Sequence, residues 1–366
     1  MNNDIEVTTM EVRRDDFTVT RIVTETLDEG LAENEVLLKV DRFALTANNI
    51  SYCVSGDLLG YWQFFPTQDG WGRVPAMAYG EVLASAHPAI SVGERVWGFF
   101  PMSSHLKILA GKVHEGQFVD VSPHRAELAP VYSQFQRSAS NPIYQVERED
   151  QDSLLRGLFL TSFLCEDFMH DNDSFAADAY LVTSASSKTS IALAFATKRR
   201  GEKQLVGITS NSNVAFCESL GCYDRVVVYG DLQDLDATQP VVLIDMSGDA
   251  GVISSLHHHY GDNLRYSCMI GATHYNEMGS TDDLPGAKPE FFFAPSQAQK
   301  RAGDWGPGEM EKRIGGSFVD FRKFCDSWLQ VERGYGSQAV SDCFQKTLAG
   351  KVRPNEGCIL SMWDKP

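Results

Sequence analysis

Apolar and polar positions alternate through the first third of the chain and then change period. Residues 35–43 (EVLLKVDRF) put Val36, Leu38 and Val40 on one face, the two-residue repeat of a half-buried strand. Residues 17–20 alternate in the same way. Residues 73–83 and 95–99 read as further strands, the second entered through the turn Val92-Gly93-Glu94. Residues 44–59 read as a loop with a short helix. Short strands punctuated by glycine and proline predict a partly open antiparallel β-barrel.

Past Pro142 the pattern becomes αβ alternation. Residues 152–169 predict a long amphipathic helix. Strands are expected at 180–183, 205–208, 225–229, 241–245 and 264–270, with helices at 213–220 and 250–259. Such alternation implies an α/β unit with a doubly wound parallel sheet. Residues 290–294 (EFFFA) add a strand at a sheet edge or subunit interface, a possible route to a homodimer. Residues 309–331 read as one long helix, followed by a helix at 337–348 and a strand at 357–362.

Composition narrows the function classes. With 32 basic against 49 acidic residues the net charge is −17, which argues against nucleic acid or an anionic membrane as partner. No apolar run reaches the length of a membrane span, and the first residues carry no apolar signal core. Eight cysteines are scattered without a C-x-x-C. That pattern fits reduced thiols in a cytoplasmic protein and no metal site.

The chemistry concentrates in residues 179–200 (AYLVTSASSKTSIALAFATKRR). A buried strand, a small polar turn and an Ala-rich helix form the opening unit of a nucleotide-binding βαβ fold. The turn delivers backbone N–H groups and a helix N-terminus to one point, as a pyrophosphate requires. Serines stand where G-x-G-x-x-G would have glycines. Ser184, Ser186, Ser187, Lys188 and Thr189 are the candidate pyrophosphate residues, against the plainer reading of Ser and Thr as helix caps. After the second strand, Ser210, Asn211 and Asn213 offer no acidic group to repel a 2′-phosphate. That favours NADP(H), with NAD(H) left open. His257-His258-His259 point in different directions on a helix and read as structural.

Four stretches in register resemble the medium-chain dehydrogenase/reductase superfamily, in its zinc-independent quinone reductase and enoyl reductase branch. They are VGERVWGFF (92–100), AYLVTSASSKTSIALAFA (179–196), SNSNVAFCESLGCYDRVVVY (210–229) and VSDCFQKTLAGKVRPNEGCILSM (340–362). The resemblance implies a GroES-like catalytic domain from residues 1–145 and 326–366. A Rossmann nucleotide-binding domain at 146–325 would lie between them, with a nicotinamide in the cleft. It also implies cofactor contacts from Thr161 and Tyr229, whereas Ser247 and Gly271 are candidates because they follow strands of a doubly wound sheet, whose ligands sit beyond the carboxyl ends, against the plainer reading of ordinary turns. Zinc-dependent members carry a cysteine and a Gly-His-Glu strand, but this chain has Leu45-Thr46-Ala47 and Met77-Ala78-Tyr79-Gly80-Glu81 there. No catalytic zinc is therefore expected.

The resemblance places Asn48, Asn49 and Tyr52 on the substrate side, with Tyr61 following in an aromatic loop. Tyr52, Asn49 and Tyr61 are the candidate catalytic residues. A phenol or amide donor aimed at a developing oxyanion lowers a barrier by ~3 kcal/mol. The expected reaction is hydride transfer from NAD(P)H to an activated C=C or a quinone, a small-molecule substrate. The alternative is a non-catalytic binding protein of the same fold without tight cofactor binding. Tyr132, Arg137 and Tyr144 are candidates for holding an anionic substrate end, against the plainer and preferred reading of two packing tyrosines and a surface ion pair.

Overall fold

The alternating segments of the N-terminal part become strands that close on themselves. The computed structural model describes residues 4–28, 30–270, 283–306 and 308–365. Met1–Leu154 and Leu329–Pro366 form one compact unit and Leu155–Trp328 another.

The first unit holds β1 (Ile5–Arg13), β2 (Thr20–Leu27), β3 (Glu35–Leu45), α1 (Ala47–Val54), β4 (Trp71–Gly72), β5 (Pro75–Ser85), β6 (Arg95–Pro101), β7 (His105–Gly111), β8 (Gln117–Asp120) and β9 (Gln134–Arg137). The helix α2 (Glu149–Asp171) begins in it. The second unit continues with β10 (Ala179–Val182), α3 (Lys188–Arg200), β11 (Gln204–Thr209), α4 (Val214–Ser219), β12 (Arg225–Val228), β13 (Val241–Asp245), α5 (Ala250–Tyr260), β14 (Leu264–Met269), β15 (Pro289–Phe291), α6 (Ala294–Trp305) and α7 (Glu309–Cys325). The chain then returns to the first unit as β16 (Gln330–Tyr335), α8 (Gly336–Leu348) and β17 (Glu356–Ser361).

In the first unit β2-β1-β4 form a small sheet. The larger sheet runs β16-β17-β3-β5-β6-β9-β8-β7, and pairing of β3 with β7 joins six of its strands into a barrel. Val36, Leu38 and Val40 are fully buried in its core, with Phe100, Phe118 and Phe135. Each such side chain contributes roughly 1.5–3 kcal/mol. In the second unit the parallel order is β12-β11-β10-β13-β14-β15. This is the doubly wound arrangement whose ligands sit beyond the carboxyl ends of the strands. Gly207 on β11 carries no side chain for a steric reason. A Cβ there would lie 2.9 Å from the Ala185 Cβ and 2.8 Å from the Tyr223 ring.

Two expectations are corrected. Residues 17–19 do not form a strand but lie in the turn between β1 and β2, and of the expected strand only Thr20 is one, as the first residue of β2. The Asp16 carboxylate accepts from Thr18 N and Oγ1 at 3.0 and 2.6 Å, and these local bonds outcompete the alternation. Nor is 309–331 one helix. α7 stops at Cys325, tight turns follow at Asp326 and Trp328, and Gln330–Tyr335 is claimed by parallel pairing with β17.

Three buried carboxylates open α2. Glu149 meets Arg95 at 2.5 Å, Arg42 at 2.8 Å and the Tyr144 hydroxyl at 2.8 Å. Asp150 pairs with Arg42 and Arg333, and Tyr79 donates to Asp152. The hub thereby ties β3, β5, β6 and β16 to the start of α2. At the other end of α2, Asp173–Ala176 hold φ between 50° and 56° without a glycine. Left-handed backbone costs roughly 1–2 kcal/mol per residue. It is held by a 2.6 Å bond between the Ser174 and Tyr180 hydroxyls and by Phe175 stacked on Tyr266 at 4.0 Å.

His257 is fully buried between α5 and β14, with Nε2 2.9 Å from Ser267 Oγ and Nδ1 3.0 Å from the Pro285 carbonyl. Burial holds its pKa below the usual 6.5, although the Pro285 contact opposes this. A depressed folded pKa gives stability that is present above 6.5 and lost as pH falls below it. His257→Gln is expected to lower the melting temperature at neutral pH. It should also flatten the decline between about pH 7 and about pH 5, measured by thermal unfolding. A wild-type slope in the variant would refute the assignment.

Candidate functional site

The turn from β10 into α3 follows a glycine-type path with serines. Ser184 has φ 49°, in the left-handed region usually left to glycine. Its N–H donates to the Tyr229 hydroxyl at 3.0 Å. Ala185 is buried, its N–H on the Ile208 carbonyl and its carbonyl receiving the Tyr223 hydroxyl at 2.7 Å. Asn213 donates to Ser186 Oγ at 3.0 Å. Ser187 caps α3, accepting from Ser190 N at 3.1 Å, and Ser190 Oγ donates to the Thr183 carbonyl at 3.0 Å. The hydroxyl that replaces a glycine hydrogen at 187 is thus turned into the helix. Ser187→Ala is expected to cost about 1 kcal/mol and Ser187→Gly only a few tenths, read by urea unfolding. Equal losses would argue against a capping role.

The carboxyl end of β13 supports this turn. Asp245 is buried and accepts from Thr183 Oγ1 at 2.6 Å, Ser247 Oγ at 2.7 Å and Gly248 N at 2.9 Å. Thr183 Oγ1 in turn accepts from Met246 N and Ser247 N. The structure therefore brings Ser184, Ser186, Ser187, Asn213, Tyr229 and Ser247 to the carboxyl ends of neighbouring strands. Ser210 bonds Ser212 at 3.0 Å, and Asn211 is exposed beside them. Thr161 is half-buried on α2, where the adjacent Ser162 donates to the Thr189 carbonyl at 2.8 Å. The Lys188 charge acts on the Cys325 thiol at the end of α7. Gly271 lies outside the described residues.

The first unit gathers phenols. Tyr52 packs on Tyr61 at 4.5 Å and edge-on against Phe99, and Tyr132 lies 4.5 Å from Phe99. Asn48 donates to the Tyr52 hydroxyl at 2.7 Å, and the Tyr61 and Tyr132 hydroxyls are 3.4 Å apart. Burial pushes all three phenols above their usual pKa, so they are neutral hydrogen-bond donors. Asn49 does not join them. Its Oδ1 accepts from Thr46 N at 2.7 Å and its Nδ2 donates to the Pro75 carbonyl at 2.7 Å, fixing α1 to β5. The sequence did not join Tyr132 to Tyr52 and Tyr61, nor give Asp245 a role of its own at the turn. Tyr132 is 71 positions from Tyr61, and no local spacing announces their meeting. The Tyr144 hydroxyl donates to the Glu149 carboxylate, and Arg137 forms an ion pair with Glu94.

Among the described residues no group of three or more His, Cys, Asp or Glu side chains is placed to hold a metal ion, and no helix is long and apolar enough to cross a membrane. A cavity of about 850 Å³ in the second unit lies away from the strand ends, among α2, α3, α6 and α7. Its charges are paired with one another, as Arg301 with Asp167 at 2.6 Å and Arg313 with Glu309 at 2.8 Å.

A family profile described as a protein of unknown function, DUF2855, matches residues 43–353. The chain belongs to the DUF2855 family. No curated protein matches this DUF2855 member. Solved structures share its fold. CurA from Vibrio vulnificus in complex with NADPH is 13% identical, with a TM-score of 0.59 over 98% of this chain and 100% of that one. The quinone oxidoreductase from Coxiella burnetii is 12% identical, with a TM-score of 0.57 over 97% and 99%. The yhdH oxidoreductase from Salmonella enterica in complex with NADP is 12% identical, with a TM-score of 0.55 over 98% and 99%. At such identity the likeness is one of fold: a GroES-like β-barrel unit with a Rossmann unit.

Proposed function

We propose that this DUF2855 protein is a zinc-independent, NADPH-dependent reductase of the medium-chain type that transfers hydride to an activated C=C or a quinone. The observation that carries the reading is the donor set at the carboxyl ends of β10, β11 and β12. It consists of a helix N-terminus, hydroxyls and amides, with no carboxylate among Ser184, Ser186, Ser187, Ser210, Asn211 and Asn213 to repel a 2′-phosphate. Those groups fit a dinucleotide. Ser186, Ser187, Lys188 and Thr189 would face its pyrophosphate, Ser210, Asn211, Asn213 and Tyr229 its adenosine, and Thr161, Ser247 and Gly271 its nicotinamide. When bound, a reduced nicotinamide supplies hydride. The protein's own contribution is to hold a neutral carbonyl substrate against the phenols of Tyr52 and Tyr61, which donate hydrogen bonds to charge developing on its oxygen. A cytoplasmic location and a homodimer through residues 290–294 belong to the same reading. Phe291 on the edge strand β15 is 44% exposed, which supports the second.

A second reading, a binding protein that has lost tight dinucleotide affinity, draws on the internal bonding of the turn, where Tyr229 holds the Ser184 N–H and Asn213 holds Ser186. The test is NADPH oxidation followed by nicotinamide absorbance with a panel of enones, quinones and acyl thioesters. Turnover with any of them supports the reductase. Failure of all of them, together with dinucleotide binding, would overturn it.

A further inference from the structure

Two phenols reach the β10–α3 turn from either end of β12. The Tyr229 hydroxyl accepts the Ser184 N–H at 3.0 Å, and the Tyr223 hydroxyl donates to the Ala185 carbonyl at 2.7 Å. The second bond is buried and spans 38 positions. β11 leaves room for it at Gly207, where a Cβ would lie 2.8 Å from the Tyr223 ring and 2.9 Å from the Ala185 Cβ.

The carbonyl held by Tyr223 belongs to the same peptide group as the Ser186 N–H. That peptide is trans, so its C=O and N–H point in opposite directions in one plane. Anchoring the carbonyl on the buried side turns the N–H to the other side of the turn, where Ser186 is half-buried. The bond also polarises the peptide and strengthens its N–H as a donor. The neighbouring donors are used within the fold. The Ser184 N–H goes to Tyr229, the Ala185 N–H to the Ile208 carbonyl at 3.0 Å and the Ser187 N–H to the Ser184 carbonyl at 2.7 Å. Among the described residues the Ser186 N–H has no acceptor. The Ser186 hydroxyl is turned the same way. Its oxygen accepts from Asn213 Nδ2 at 3.0 Å and from Thr209 Oγ1 at 3.5 Å. With both lone pairs engaged, its own proton points away from those donors.

We propose that Tyr223 is the positioning residue of the dinucleotide site, aiming the Ser186 N–H at the pyrophosphate from beneath the turn. The proposal rests on the dinucleotide part of the reductase reading. Tyr223 is buried and acts through the 185–186 peptide rather than by touching the ligand. Without the hydroxyl that peptide is free to rotate. Apparent affinity then falls with the fraction of molecules that hold the competent orientation.

The test uses the full-length wild type, Tyr223→Phe and Tyr223→Leu. Each is titrated with NADPH by nicotinamide fluorescence, and the Ser186 amide is followed by NMR with ¹⁵N-labelled serine. Tyr223→Phe keeps the ring against Gly207 and removes only the hydroxyl. It should weaken NADPH binding about 10-fold. The downfield shift of the Ser186 amide proton on NADPH binding, expected in the wild type, should shrink in this variant. Tyr223→Leu should lower the melting temperature further but weaken NADPH little more. Wild-type affinity in Tyr223→Phe, or a loss seen only in Tyr223→Leu, assigns the residue to packing and overturns the proposal. A wild type that binds NADPH without moving the Ser186 amide overturns it too. If the wild type binds no NADPH, the dinucleotide reading itself falls and the role falls with it.

Discussion

Glu149→Ala is expected to destabilise the protein by about 3–5 kcal/mol, the typical result of removing one partner from a buried ion pair. Glu149 is 1% exposed and serves Arg42, Arg95 and Tyr144 together. Without it, two guanidiniums remain beside the start of α2, partly buried and with fewer partners. Glu149→Gln keeps the shape but not the charge and should lose somewhat less. The pH dependence has a definite sign. Burial opposes ionisation of Glu149, but Arg95, Tyr144 and Arg42 outweigh it and hold the carboxyl below its usual 4.5. Its stabilisation is therefore present above 4.5 and fades as pH falls through the lowered folded value. Urea unfolding across acidic pH should show this step in the wild type and not in Glu149→Gln. Unchanged stability of Glu149→Ala at neutral pH would show that the hub is dispensable.

Asp245→Ala is the second large loss, expected at about 3 kcal/mol. The carboxylate accepts from two hydroxyls and two backbone N–H groups, and the Thr183 side chain that it orients is fully buried. Removing it strands the Thr183 hydroxyl and the Gly248 N–H. It also releases residues 183–184 and 246–248, which frame the proposed dinucleotide site. Asp245→Asn presents an amide N–H₂ to groups that themselves donate, so it should recover little. Thermal unfolding reads the first effect and NADPH titration the second. A variant as stable as the wild type that still binds NADPH would contradict both.

Much of the architecture was legible in the residues. The run of buried strand, polar turn and Ala-rich helix at 179–200 is local, and local signals survive: β10 and α3 lie where that pattern puts them. Where a non-local partner decides, the pattern misled. Residues 330–335 continue a helical period, yet they pair with β17 as a parallel strand. At 17–19 the Asp16 side chain overrode an alternation too short to resist it. The site was legible in the same uneven way. The serine turn, Asn213 and Tyr229 follow from a βαβ unit, because strand ends converge by topology. The meeting of Tyr52, Tyr61 and Tyr132 depends on how three separate segments of the first unit pack. Asn49 looked like a donor in sequence, but its amide is used to fix α1.

The most direct measurement is titration of the full-length chain with NADPH, and separately with NADH, following nicotinamide fluorescence and the protein's melting temperature. A dinucleotide site at the β10–α3 turn predicts saturable NADPH binding, with about 2.7 kcal/mol of added stability at 100 times the dissociation constant. No shift with either dinucleotide would contradict it.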